Sequence, residues 1–443
     1  MRPSRKFLPR GNAPGSSDVF AGGGALSVGP RSVLSSGAAR GSGGAFCLVD
    51  DLFRHGGAMG STATTITFTE DALDPYVTHA PTRRWLTGPG LPGVGGLVTF
   101  EALRRDGLRT VGDSTGDPAG ALAADVRDQL VIGGLLGARG EETESVVLDG
   151  VTGAVSTTYF LHDRPDLMDL RPLAPSLEKL VRFATAADEL AALRGQFASY
   201  AGRFGAQAVT EATKHLLSLY EGETDGEVAP YWKTIAVIRP LALIAGPGTT
   251  SGLALDLPPR LLDDEYGQGE IVRFEEMDFP PALTHTPTRH FLARVGLPEE
   301  AVWFTLDTDA PLRTLSDYCA DEGHTHELPP HASSLIRLGG LLEDTSLVLD
   351  GTTGAVLSYT FPDKTLRPLN ADISTLAFTF WLIHRERTLD ALHDLTHTYD
   401  QLTTAMNHTL SAIDPTAVLL NEGDDWRYWP EVFGDEAGGG LYA

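Results

Sequence analysis

Thr78-His79-Ala80-Pro81-Thr82-Arg83 recurs in the second half of the chain as Thr284-His285-Thr286-Pro287-Thr288-Arg289. The match runs without a gap to Gly90-Leu91-Pro92 and Gly296-Leu297-Pro298, and nine of fifteen positions are identical, where average residue usage gives about one by chance. Trp85 stands opposite Phe291, so a bulky aromatic is kept as well. The register persists through Leu108-Arg109-Thr110 and Leu312-Arg313-Thr314, and through Gly133-Gly134-Leu135-Leu136 and Gly339-Gly340-Leu341-Leu342. It continues in Val147-Leu148-Asp149-Gly150 and Val348-Leu349-Asp350-Gly351, then in Gly153-Ala154-Val155 and Gly354-Ala355-Val356. Leu170-Arg171-Pro172-Leu173 matches Leu366-Arg367-Pro368-Leu369, and Tyr231-Trp232 matches Tyr428-Trp429. The spacing drifts only through small deletions in polar loops, where a preserved core tolerates them. This is the duplication of a whole domain, not a solenoid of short repeats.

Each copy opens on a short β-like run, Thr65–Phe68 or Ile271–Phe274. A helix follows, for which Thr286 offers a cap, Pro287 a first turn and Gly296 a stop. Val302–Leu306 reads as a strand, rich in β formers. The centre of the module reads as hairpins. Leu335–Gly339 leads to a turn, Ser346–Leu349 and Ala355–Phe361 are strands, and Asp350-Gly351-Thr352-Thr353-Gly354 joins them. Asp-Gly between apolar runs favours a hairpin because glycine accepts positive φ at no steric cost. Copy one repeats the pattern with Val146–Leu148, a loop at Asp149–Gly153, and Ala154–Phe160.

The period then changes from two to about 3.6, with Ile373, Leu376, Phe380 and Ile383 on one helical face and Asn370 as the expected N-cap. The matching helix in copy one begins near Ser176. Helix, antiparallel strands, then helices is an α+β order. The expected organisation is a Gly/Ser-rich disordered segment at 1–60, module 1 at 61–236, a linker at 237–268 and module 2 at 269–437.

Composition bounds the function. The chain has 443 residues, with 59 acidic against 34 basic and a net charge of −25. Such a field disfavours binding to a phosphate backbone, and hence to nucleic acid, while it steers in a basic partner. Two cysteines, Cys47 and Cys319, are too few for a disulfide framework, which fits a cytoplasmic setting. No run approaches the ~18 or more apolar residues of a membrane span.

Catalytic patterns are weak. His324, His326 and His331 have a spacing that metal ligands use, but copy one has no histidine there, and they read as solvated loop residues. His393 and His397 lie four apart on an expected helix but lack the glutamate of the zincin motif, so they read as a surface helix. Gly88-Pro89-Gly90-Leu91-Pro92-Gly93 follows a helix, and its prolines remove amides that would cradle phosphate. Walker loop, nucleophile elbow and Cys-x-x-Cys pair are all missing from the sequence, and no cofactor or catalytic constellation is expected. His79 and His285, kept in both copies, read as helix-start residues that pack or cap, with a ligand contact as the alternative.

The run Gly339-Gly340, Val348 to Val356, Leu369-Asn370, Leu376-Ala377-Phe378 and Tyr428-Trp429-Pro430-Glu431 resembles the SUKH superfamily, most closely its fourth subfamily of immunity proteins. The Thr-x-x-Phe-Leu-x-x-x-Gly-Leu-Pro pattern at Thr288–Pro298 is similar to that family's N-terminal helix. Copy two matches best, since copy one has Ala174 for the asparagine and Lys233 after its Tyr-Trp. The resemblance implies tandem α+β modules that bind and neutralise a cognate protein toxin, a nuclease or deaminase domain in bacterial polymorphic toxin systems, without catalysis of their own. The acidic composition is compatible with a basic toxin. A general interaction scaffold with two related modules is a second reading, and a metal-dependent hydrolase using His324–His331 a third. Asp424, Asp425, Trp426, Tyr428, Trp429 and Glu431 are the candidate contacts, because aromatics anchor interfaces.

Overall fold

Asp350 makes the central turn of the second half, as Asp149 does in the first. In the computed structural model its Oδ1 accepts the backbone N–H groups of Thr352 and Thr353 at 2.8 and 2.9 Å. The equivalent Asp149 Oδ1 accepts those of Val151 and Thr152 at 2.7 and 3.0 Å. Such Asx contacts fix the loop, and a glycine at φ +80° ends it in both halves, Gly153 and Gly354. The structure describes residues 65–443 except 117–119, 121, 162–163, 225–226, 309–310, 324–327, 343, 422 and 443. The expected disordered segment, 1–60, lies outside the described residues.

The first half runs α1 (Ala80–Thr87), β1 (Leu130–Leu136), β2 (Glu142–Leu148), β3 (Val155–Thr158), β4 (Arg171–Ala174), α2 (Leu177–Ala191), α3 (Ala206–Gly222) and α4 (Pro230–Ile238). The second runs α5 (Thr286–Arg294), β5 (Leu335–Leu341), β6 (Thr345–Asp350), β7 (Val356–Thr360), β8 (Thr365–Asn370), α6 (Ile373–His393), α7 (Tyr399–Ile413) and α8 (Tyr428–Gly434). Strands β1 to β4 and β5 to β8 each pair antiparallel in sequence order. Short strands at Val98–Thr99 and Phe304–Leu306 extend the sheets beyond β1 and β5. The architecture is α+β, as the pattern of hairpins and helices implies.

The duplicated Gly-Gly has a steric cause. A Cβ on Gly133 would lie 2.0 Å from Thr99 O, and one on Gly339 2.1 Å from Thr305 O. Both strands carry a register shift there, so the glycine lets the neighbouring backbone approach at a bulge.

Helix starts differ from expectation. Asp372, not Asn370, caps α6, its Oδ1 accepting from Ser374 N at 2.8 Å. Asn370 instead ends β8, fully inside. Likewise His285 rather than Thr286 is the N-cap of α5. The Val302–Leu306 run is strand only from Phe304, after a turn. The first three turns of α6, Ile373–Ile383, are buried all round, as a helix enclosed by a sheet and neighbouring helices must be.

The chain from Thr62 onward is one compact unit, and one hydrophobic core runs through both halves. After α4 the chain forms a 3-10 turn at Arg239–Ile244, a two-strand ladder pairing Gly246–Pro247 with Leu255–Asp256, and a helix at Leu261–Tyr266. Leu241, Leu243, Ile244 and Leu255 of this stretch are buried.

Candidate functional site

The two most strongly repeated motifs touch each other. The Gly150 carbonyl accepts the N–H groups of Thr78 and His79 at 2.9 and 3.0 Å, and that of Gly351 accepts those of Thr284 and His285 at 2.8 and 2.9 Å. His79 Nδ1 then lies 2.9 Å from Thr82 Oγ1, and His285 Nδ1 2.8 Å from Thr288 Oγ1. Both threonines are buried. The backbone amides therefore fasten the opening helix to the Asp-Gly hairpin, while each imidazole meets a threonine of its own helix and lies against Gly153 or Gly354, a structural role repeated in both copies.

The other histidines are scattered. His393 ends α6 and His397 lies in a separate 3-10 turn beyond Asp394, whose backbone is left-handed. The expected shared helix does not exist, because that left-handed residue reverses the chain between them. His324 and His326 lie outside the described residues, and His331 takes a left-handed conformation before a 3-10 turn.

The candidate contact residues divide into a buried pair and an exposed set. Tyr428 and Trp429 are only 7 % and 1 % exposed. The Trp429 indole donates to Asn370 Oδ1 at 3.0 Å, and Leu342 N–H donates to the Tyr428 hydroxyl at 3.2 Å. Asp425 and Glu431 are exposed, and Asp424 and Trp426 half-buried. Arg367 ties this strip together. It donates to Asp425 at 2.8 Å and lies 5.1 Å from the Trp426 ring centroid, a cation–π distance. The buried Arg427 guanidinium donates to Asp424 at 2.6 Å and holds its carboxyl below the usual range. Glu431, on α8, adds a further exposed negative charge.

Sequence reasoning missed the seam between the halves. Helix α7 packs on α4 and on Arg239–Ile244 of the first half as well as on its own α8. Gln401 donates to the buried Glu144 carboxylate at 3.2 Å, Tyr159 donates to Asp400 at 2.8 Å, and His408 Nε2 lies 2.8 Å from the Leu136 carbonyl. Arg171 lies over the Tyr159 ring at 4.7 Å. Burial and the Glu144 and Asp400 carboxylates raise the Tyr159 hydroxyl, keeping it a protonated donor. No local motif encodes these contacts. A groove of about 750 Å³ opens beside the seam, with Val237, Leu241 and Trp381 among its apolar lining.

The duplicated fold and its sequence pattern agree with a family comparison. The family model described as SUKH-4 immunity protein matches the chain twice, over residues 41–219 and 257–435. The chain belongs to the SUKH-4 immunity protein family. No curated protein and no solved structure matches it. Membership carries immunity to a toxin, so the partner class of this SUKH-4 protein is a cognate toxin, and the family is generally non-catalytic. No helix among the described residues is long and apolar enough to cross a membrane. Both SUKH-4 modules keep the histidine fastening, while Glu144 and Tyr159 of the first are Thr345 and Thr360 in the second.

Proposed function

We propose that this SUKH-4 protein is a non-catalytic, cytoplasmic immunity protein of a bacterial polymorphic toxin system. It binds and neutralises a basic toxin domain of the nuclease or deaminase kind. The observation that carries the reading is the paired family match, which spans most of the chain. The net charge of −25 supports a basic partner, since complementary fields accelerate encounter and suppress wrong pairings. The exposed Asp425 and Glu431, with the half-buried Trp426, form the proposed contact region, with Asp424 holding Arg427 behind it. Tyr428 and Trp429 act from within by fixing α8.

Co-expression tests this directly. The chain is expected to restore growth to cells expressing the toxin domain encoded beside its gene. Unrelieved toxicity, together with no binding to any neighbouring gene's product, would overturn the reading.

A further inference from the structure

The duplication lets one half reveal what the corresponding face of the other is shaped to hold. In the first half, Leu136, Glu144, Tyr159 and α4 form a face on which α7 is seated. The repeat places Leu342, Thr345, Thr360 and α8 at the same positions in the second half. The strand ends correspond in register too, with Thr345 paired to Thr360 across β6 and β7, as Glu144 meets Tyr159 at 3.4 Å.

The two faces differ in cover along the helix and at Leu342, while Thr345 is buried as Glu144 is. Thr234, Val237 and Ile238 of α4 are buried. Their counterparts Glu431, Gly434 and Asp435 are exposed, and Leu342 is 43 % exposed. They differ in chemistry as well. A threonine, a valine and an isoleucine have become two carboxylates and a glycine, beside the apolar Leu342 and the Trp426 ring. A helix-receiving shape with an apolar centre and an acidic rim fits one kind of occupant.

We propose that the face formed by Leu342, Trp426, Glu431 and Asp435 receives a basic amphipathic helix of the toxin domain, in the manner in which the first half receives α7. The apolar stripe of that helix covers Leu342 and Trp426, and its lysines or arginines meet Asp425, Glu431 and Asp435. This assignment rests on the immunity reading above and names the surface that performs it.

The test uses the full chain and a catalytically silenced form of the toxin domain encoded beside its gene. Hydrogen exchange of the complex is expected to protect peptides containing Leu342 and Glu431. Leu342→Arg combined with Glu431→Lys is expected to weaken binding by about tenfold or more, as for the centre of an interface. Both side chains are exposed, so the melting curve of the free double variant should match the wild type. Undiminished affinity in that variant, or protection confined to the first half, would overturn the assignment and leave the immunity reading intact. A wild-type chain that binds no neighbouring product would instead remove the immunity reading. A free chain that dimerises by light scattering, and becomes monomeric in the double variant, would give the face to a second copy and overturn the proposal.

Discussion

The Trp429 indole donates to the Asn370 side chain at 3.0 Å, while the equivalent Trp232 indole donates to the Leu173 backbone carbonyl, also at 3.0 Å. The asparagine thus enters the core as a hub. Its Nδ2 group also donates to Thr379 at 3.1 Å and to Asp414 at 3.0 Å. Ala174 stands in its place in the first half, where the backbone suffices. Replacing Asn370 by Leu leaves a buried indole and a buried carboxylate short of partners, with an expected loss of about 3 kcal/mol. Trp232→Phe removes a single bond to a backbone carbonyl and is expected to cost about 1 kcal/mol beyond its packing change. Urea denaturation of the two variants gives the comparison.

The histidine fastening predicts a conditional effect at Gly354. A Cβ there would lie 2.3 Å from His285 Nδ1, and the backbone sits at φ +80°. Gly354→Ala is expected to destabilise by at least ~2 kcal/mol, clash and strain acting together. In Gly354→Ala with His285→Ala the clash is gone, so the combined loss should be smaller than the sum of the single losses. A double-mutant cycle in denaturant measures that coupling.

Glu386 introduces a pH dependence. It is fully buried on α6, and neither carboxylate oxygen has a hydrogen-bond partner among the described residues. Burial, reinforced by Asp390, pushes its carboxyl from 4.5 up to about 8. The folded state then holds a proton that the unfolded state has released, so stability falls as pH rises from about 4.5 to about 8 and levels off above. Glu386→Leu is expected to flatten that part of the profile and to raise stability at pH 8 by at least ~1 kcal/mol. Melting curves across the range check both.

The seam makes a fourth prediction. Gln401 supplies an amide to the buried Glu144 carboxylate from the other half of the chain. Gln401→Leu faces that carboxylate with hydrocarbon and is expected to cost about 3 kcal/mol. Adding Glu144→Leu should recover part of the loss, since the buried carboxylate that lost its amide is then gone. Thermal melts of the single and double variants distinguish this from simple packing damage.

These contacts show where the sequence was informative. Thr-His-x-Pro-Thr and Asp-Gly-x-x-Gly stood out as repeats, and the structure brings them together, because local geometry constrains both. The α+β order followed from periodicity together with the cap and turn residues. The strip at 424–431 was visible as acids and aromatics, yet composition could not separate Trp426, half-exposed beneath Arg367, from Trp429, buried against Asn370. That separation depends on a polar partner far away in the sequence. Asn370 resembled a helix cap for the same reason, as its side chain serves Trp429 and Asp414 while Asp372 does the capping. The seam was invisible. Glu144, Tyr159, Asp400 and Gln401 look like ordinary surface polar residues until the chain folds them against one another.

Helix α7 answers to two masters. One of its flanks completes the module that encodes it, and the other closes the neighbouring module over Glu144 and Ile238. A residue that suits one environment must also be tolerated by the other, so the halves cannot drift apart independently. Transplanting the second module into another protein would carry away the roof of the first, and replacing the first would leave α7 with a bare flank. The folded unit is therefore the fused pair, although the sequence still displays the seam of its origin.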